Sequence, residues 1–407
     1  MPAETKPRLW MISELYYPEL TSTGYYITNI AESLTDALDV RVMCGQPNYA
    51  ARGERSPRSE RLNDVGIVRV SGLRLDKNVL LFRLLNMLTL SVSVLFEELA
   101  AFKKGDSVLV VTTPPLLPMI TAAAALMRGA GYTLLVHDVY PEQLIATGIL
   151  RKRSITASLV DLFSRWAYKH ARGIIVVGRD MKDLLQRKTA DLDIPVTYIP
   201  NWGETVEITA EPKAKNELLD ELDLQDKFIV LYAGNFGRPN DLETILAAAE
   251  ILSTDERVQF LFIGSGAKEK WLKHHALELP NVLVLPPMPR ERQNVFLNAC
   301  DVTIASLVHG MRGAAVPSRV YNYLAAGKPI LAVCERGSEM DMIIEEDNVG
   351  ARIEPGAGED LAQAIRELMD SPDPLSTMGT KARTTAVSKY SREKVLPRYH
   401  DLLVDIK

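Results

Sequence analysis

Cysteine is scarce in this chain. Three occur in 407 residues, Cys44, Cys300 and Cys334, an odd number with no metal-ligand spacing. That excludes a disulfide framework and a cysteine-based zinc site, and it fits a reducing compartment. Cys44 and Cys334 sit in apolar strand-like runs and read as buried. A long apolar run near the N-terminus is also missing. MPAETKPRLWMISELYYPE is interrupted by charge and proline, so no secretory signal peptide is expected. Tandem repeats and low-complexity tracts are absent. The uncharged stretch between Arg83 and Glu97 is shorter than the ~20 residues that cross a bilayer. The first glycine-bearing loop holds one glycine, Gly24, which excludes a G-x-G-x-x-G fingerprint there.

What is present suits two domains, because the chain is too long for one compact core. Hydrophobic residues at 47% and charged residues at 24% are ordinary for a globular chain. The formal charge of −5 is uneven. Residues 1–205 hold 24 Lys and Arg against 21 Asp and Glu, and the remainder 23 against 31. A basic first half suits a polyanionic surface on that half only. No nucleic-acid partner is expected.

Strand and helix patterns alternate throughout. RLWMIS, DVRVMCG, SVLVV and TLLVH read as buried strands, and FIVLYAG, QFLFIG, DVTIASL and ILAVC repeat the scheme. The expected fold class is α/β, with two facing Rossmann-like domains, a cleft between them and a hinge near residue 203 in IPNWGE. His137 and Asp138 stand at the C-terminal end of a strand, the edge that lines ligand crevices in open α/β sheets. Either can hydrogen-bond a ligand or act as acid or base; Asp138 as a mere helix cap is the plainer alternative, and Glu142 is a further carboxylate close by. Gly234 and Gly237 let backbone approach a phosphate, and Gly264 opens a third strand–glycine–helix turn.

Residues 78–102, NVLLFRLLNMLTLSVSVLFEELAAF, are apolar and follow Arg52, Arg55, Arg58, Arg61, Arg69, Arg74 and Lys77. An apolar helix beside clustered cations suits peripheral membrane contact. A core helix is the alternative reading of the same run.

The stretch Gly310 to Pro329, GMRGAAVPSRVYNYLAAGKP, is the richest in signals. Ser318 is expected to cap a helix on which Val320, Tyr323 and Leu324 make one apolar face, and Gly327 is expected to end it. A helix N-terminus favours a bound phosphate, and Arg319 adds a fork of donors. This stretch resembles the donor-nucleotide segment of GT-B glycosyltransferases of family 4. The bacterial enzymes of polysaccharide and O-antigen assembly, colanic-acid and fucosamine transferases among them, carry P-S-K/R-x-x-E-Y-x-A-A-G-x-P here. The chain matches except at Asn322.

The resemblance implies a GT-B fold. Residues 1–203 would be the acceptor-side domain, joined by a returning C-terminal helix at 389–407, and 204–388 the nucleotide-sugar domain. It implies a sugar transferred from a nucleoside-diphosphate donor, a UDP-sugar first, to a lipid-linked or glycan acceptor in cell-surface polysaccharide synthesis. Retention of anomeric configuration, no metal and no cofactor go with it, as does a cytoplasmic enzyme peripheral on the inner face of the plasma membrane. The family's two glutamates, E-x7-E, fall on Ala314 and Asn322, so both carboxylates are absent; Asn322 can still hydrogen-bond a ribose. Arg238 and Arg319 are the implied diphosphate clamp, with Asn235 and Asp241 where the family places Arg and Lys. Thr23 and Gly24 would face the donor phosphates, His137 and Asp138 the transferred sugar, and Met288 the nucleobase through main-chain groups. Two alternatives accompany this reading: a non-catalytic GT-B protein that binds a partner, suggested by the lost carboxylates, and a sugar-nucleotide epimerase.

Overall fold

The computed structural model describes residues 6–19, 21–47, 56–73, 75 and 80–404. The chain divides into two compact units. The first holds residues 1–141, 150–199 and 396–407, and the second holds 142–149 and 200–395. The division falls at 199/200 and 395/396 rather than at 203/204 and 388/389, and the short segment 142–149 groups with the second unit.

In chain order the first part runs β1 (Arg8–Ile12), α1 (Ser22–Ser33), β2 (Asp39–Gly45), β3 (Ser59–Leu62), β4 (Val65–Val70), α2 (Leu80–Ala101), β5 (Ser107–Val111), α3 (Leu117–Arg128), β6 (Gly131–Val136), α4 (Glu142–Ala146), α5 (Ile155–His170), β7 (Gly173–Val176), α6 (Arg179–Lys188) and β8 (Val196–Tyr198). The sheet order is β3-β4-β2-β1-β5-β6-β7-β8, parallel except for β3 against β4. That exception is a hairpin, and Asn63 and Asp64 both take the positive φ that its tight turn needs. Leu9 to Ile12 and Val108 to Val111 are buried on both faces, as interior parallel strands require. Crossovers from β5 to β6 and from β6 to β7 advance the same way, so right-handed connection puts α3 and α5 on one face. α2 packs beside α3 on that face.

The second part runs α7 (Glu217–Leu222), β9 (Phe228–Ala233), α8 (Leu242–Ile251), β10 (Val258–Ile263), α9 (Glu269–Ala276), β11 (Val282–Leu285), α10 (Gln293–Asn298), β12 (Val302–Ser306), α11 (Arg319–Ala325), β13 (Ile330–Val333), α12 (Glu339–Asp347), β14 (Gly350–Ile353), α13 (Gly358–Met369), α14 (Pro372–Lys389) and α15 (Arg392–Val404). Its parallel sheet, β11-β10-β9-β12-β13-β14, is the doubly wound order 3-2-1-4-5-6. The order reverses between β9 and β12, and the C-terminal ends of those two strands define this sheet's ligand edge. In the first sheet the same reversal lies between β1 and β5. The end of α15 belongs to the first unit, where Arg398 donates to the Tyr198 carbonyl and His400 lies 3.6 Å from Asp36.

α2 covers most of residues 78–102. Its inner face, Leu90, Ser91, Val94 and Glu98, is buried. Thr121 on α3 donates to Glu98 at 2.5 Å, and burial raises the Glu98 carboxyl to about 8. Leu81, Leu84, Leu85, Leu88, Val92 and Phe96 are exposed. The cation cluster expected beside it is altered. Arg69 is buried, ion-paired to Glu60 and bonded to the Tyr17 and Pro57 carbonyls, because its strand position points inward. Arg58 pairs with Glu97 and Arg61 with Asp64. Arg52, Arg55, Arg74 and Lys77 lie outside the described residues.

Candidate active site

The ligand edge of the second sheet is built around Arg319. α11 is fixed there by Tyr323, whose hydroxyl accepts from the Ala233 amide at 3.0 Å and donates to the Ala233 carbonyl at 3.1 Å. That bond ties α11 to the last residue of β9. Arg319, one turn earlier on α11, lies over the Tyr232 ring with Cζ 4.4 Å from its centroid. Its Nη2 makes two long hydrogen bonds, 3.4 Å each, to the Asn235 carbonyl and to Asn240 Oδ1. Its Nη1 is enclosed and has no hydrogen-bond partner. A buried charged nitrogen without an acceptor is costly.

Three glycines let the loops close around this side chain. A Cβ on Gly234, at φ +137°, would lie 3.0 Å from Arg319 Cζ. A Cβ on Gly264, at φ +153°, would lie 1.9 Å from the Gly234 carbonyl oxygen, and one on Gly266 would meet Asn235 Oδ1 at 2.4 Å. Gly234 and Gly264 therefore hold the ends of β9 and β10 together as well as opening space. Gly237 is buried in the following turn, and its carbonyl accepts from the Asn240 amide. Arg238 is exposed, with no ion-pair partner among the described residues and no bond to Arg319. Asp241, in the family's lysine position, is the buried cap of α8 and accepts from Thr244 N and Oγ1 at 3.0 and 2.6 Å.

Ser318 departs from expectation. It makes no side-chain capping bond, because it is already helical at φ −63°, ψ −20°, whereas a capping residue holds extended backbone. Gly327 does end α11. At φ +64° its amide bonds Leu324 O and that of Lys328 bonds Tyr323 O, a Schellman pair. Asn322 Oδ1 accepts from the Glu204 amide at 3.1 Å, so its acceptor is engaged by the segment after Trp202. Ala314 is fully buried. Met288 is half-buried in the loop after β11.

In the first unit, Thr112 Oγ1 accepts from the amides of His137 and Asp138 at 3.2 and 3.3 Å, and Thr113 donates to Asp138 Oδ2 at 3.1 Å. The two residues are thus fixed at the end of β6 by the end of β5. His137 Nε2 is enclosed without a hydrogen-bond partner, and burial lowers its pKa to about 4. At neutral pH this desolvation favours the uncharged imidazole, a hydrogen-bonding group. Thr23 and Gly24 lie in the first turn of α1 rather than in the preceding loop. Thr21 is the cap, and its hydroxyl already accepts from the Gly24 amide at 3.3 Å. Gly24 is needed because a Cβ would stand 2.4 Å from the Glu19 carbonyl oxygen. Asp191 and Asp193 lie after α6, and Asp191 is held by both of its oxygens to Arg165 at 2.9 and 2.8 Å.

Comparison with known proteins decides the family. Residues 22–202 match the model for a glycosyl transferase 4-like domain, and residues 215–385 match glycosyl transferases group 1. The chain is 31% identical to the glycosyltransferase WbjE of Pseudomonas aeruginosa over 394 residues, covering 96% of each. The chain belongs to the family 4 glycosyltransferases. It is also 27% identical, over 94% of its length and 96% of the relative's, to WcaI of Escherichia coli (strain K12), named a colanic acid biosynthesis glycosyl transferase. Among solved structures, Anabaena HepE in complex with UDP-glucose superposes with a TM-score of 0.72 at 14% identity, covering 98% of this chain and all of that one. The fold is accordingly GT-B, with two Rossmann-like parallel sheets.

Within this glycosyltransferase, Tyr232, Tyr323 and Asn240 were not singled out from sequence. Tyr232 had one usable signal, its place next to last on a strand that ends in a glycine turn. Tyr323 had none beyond its membership of an apolar face. Thr112 and Thr113 at the end of β5 were equally silent, since their role depends on which strand lies beside β6.

Proposed function

We propose that this enzyme moves a sugar from a nucleoside-diphosphate donor, a UDP-sugar, onto a lipid-linked or glycan acceptor in cell-surface polysaccharide synthesis. Transfer retains anomeric configuration and needs no metal. One observation carries the donor part: the Arg319 Nη1, enclosed and without an acceptor at the switch point of the second sheet. An anion there would receive a charge-assisted hydrogen bond from a guanidinium already oriented by Tyr232, Asn235 and Asn240. As the sugar bond breaks, negative charge grows on the departing diphosphate. A pre-oriented cation stabilises that charge without reorganising. Arg238, exposed in the neighbouring loop, supplies a second cation. His137 and Asp138 supply hydrogen bonds to sugar hydroxyls.

The acceptor class follows from relatives named for polysaccharide assembly and from the exposed apolar row on α2. Leu84–Ala101 is long and apolar enough to cross a membrane, yet its inner face is packed on α3. The reading is a helix that lies on the inner face of the plasma membrane of the cytoplasm. A thermal-shift panel of nucleoside diphosphates tests the donor: UDP should raise the Tm of the wild type and raise that of Arg319→Ala much less at the same concentration. If no nucleoside diphosphate shifts the wild type, the donor assignment is wrong.

A further inference from the structure

α5 is built inside out. Its buried residues are small or modest, Ala157, Ser164, Ala167 and Tyr168, and they pack on the domain. Its large apolar residues, Ile155, Leu159, Leu162, Phe163 and Trp166, are exposed, Ile155 at 81% and Leu162 at 60%. At 3.6 residues per turn, these five cluster on the side of the helix opposite the buried set. An exposed apolar row of this kind marks an interaction surface rather than ordinary scatter.

The row is not isolated. α5 and α2 both pack against α3, on the same face of the first sheet. α2 also turns its apolar row outward, with Phe96 exposed at 68%, and on α3 between them Leu126 and Met127 are exposed. Three neighbouring helices thus present one broad apolar layer. Its charged surroundings are lopsided. Arg151, Lys152 and Arg153 are exposed immediately before α5, without ion-pair partners among the described residues, and Lys103, Lys104 and Arg128 are exposed where α2 and α3 end. The carboxylates of this layer are otherwise engaged: Asp161 pairs with Lys188, Glu97 with Arg58, and Glu98 is buried.

We propose that α5 is a second membrane-contact helix, and that with α2 it forms a two-helix platform for an anionic bilayer surface. The apolar rows enter the headgroup boundary, and the Arg151–Lys152–Arg153 cluster meets lipid phosphates. A second copy of the chain suits the face less well, because it would bring its own unpaired cations to the same surface. The proposal rests on the membrane reading made for α2, and its test separates the two.

Cys44, Cys300 and Cys334 are all buried, so Ile155→Cys in the full chain gives a selective site for a polarity-sensitive thiol dye. The probes are vesicles of phosphatidylglycerol and phosphatidylethanolamine, and vesicles of phosphatidylcholine alone. The dye should shift to the blue with the anionic vesicles and stay aqueous with phosphatidylcholine. In sedimentation, Leu162→Gln with Phe163→Gln, and separately Leu88→Gln with Phe96→Gln, should each weaken binding by roughly tenfold or more. An aqueous dye signal on vesicles from which only the α2 pair releases the protein would overturn the α5 assignment and leave the α2 reading standing. Absence of wild-type binding would remove both. A blue shift without vesicles that grows with protein concentration would give the face to a second copy and also reject the proposal. The dye is read on an otherwise unchanged chain, so the result stands even if a glutamine pair folds poorly.

Discussion

Both sheets are doubly wound, reversing at β1/β5 in one and at β9/β12 in the other, but they do not share a ligand edge. At the end of β9 the second sheet has a half-buried guanidinium, one nitrogen enclosed, braced by Tyr232 and by Asn235 and Asn240. At the ends of β5 and β6 the first has threonine hydroxyls holding the main-chain amides of His137 and Asp138 and the Asp138 carboxylate, beside an imidazole that burial keeps neutral. One edge offers a cation, and the other an imidazole and a carboxylate. The same topology therefore serves two chemistries, and the difference lies in a few side chains at strand ends.

Removing the cation should break this contrast most severely. Arg319→Ala is expected to lower turnover of the nucleotide sugar by about 100-fold or more, the scale of losing one pre-oriented charge stabiliser. Thermal unfolding should change far less, which separates chemistry from folding. Arg319→Lys should recover only part, since an ammonium lacks the fork that spans Asn235, Asn240 and an anion. Steady-state kinetics with the donor that binds the wild type checks both.

The next effect is structural. Gly264→Ala should destabilise the second unit by about 3 kcal/mol, from positive-φ strain together with overlap against the Gly234 carbonyl. Chemical denaturation read by a probe in that unit measures it.

The first unit should show opposed pH slopes. His137 has a folded pKa of about 4 against 6.5, so the unfolded chain takes the proton first. Its contribution falls as pH drops from 6.5 towards 4, and His137→Gln should flatten that limb. Glu98 has a folded pKa of about 8 against 4.5, so the unfolded chain releases the proton first. Stability falls as pH rises from 4.5 through 8, and Glu98→Gln should remove that slope. Each effect is on the order of a few kcal/mol, read as denaturation midpoint against pH.

The smallest test compares two helix starts. Thr21→Ala removes a working cap from α1 and should cost about 1 kcal/mol, whereas Ser318→Ala should stay within about 0.5 kcal/mol because α11 has no side-chain cap to lose. Equal losses would contradict the assignment of caps.

These pairs also show what the sequence could and could not reveal. The fold class was legible, because apolar runs alternating with glycine turns and helices leave few ways to wind a parallel sheet; the strand order was not read from sequence. Gly327 was legible as a helix stop. Ser318 was not legible as a failed cap, because residue type does not report backbone angle. Gly24 stood out as the one glycine of its loop; that it makes room for the Glu19 carbonyl was not legible. Arg319 was found from its motif; its bracing was not, since Tyr232 and Asn240 are distant in sequence. Helical spacing in α5 predicts an apolar side without saying which way it faces. The small residues opposite decide that, by being the ones that fit against the domain.

The most direct test of the central claim is calorimetric titration of UDP into the wild type and Arg319→Ala. The enclosed Nη1 predicts that the substitution weakens Kd by roughly 10- to 100-fold, the value of a hydrogen bond to a charged group. A wild type that binds UDP and an Arg319→Ala that binds it equally well would contradict the account.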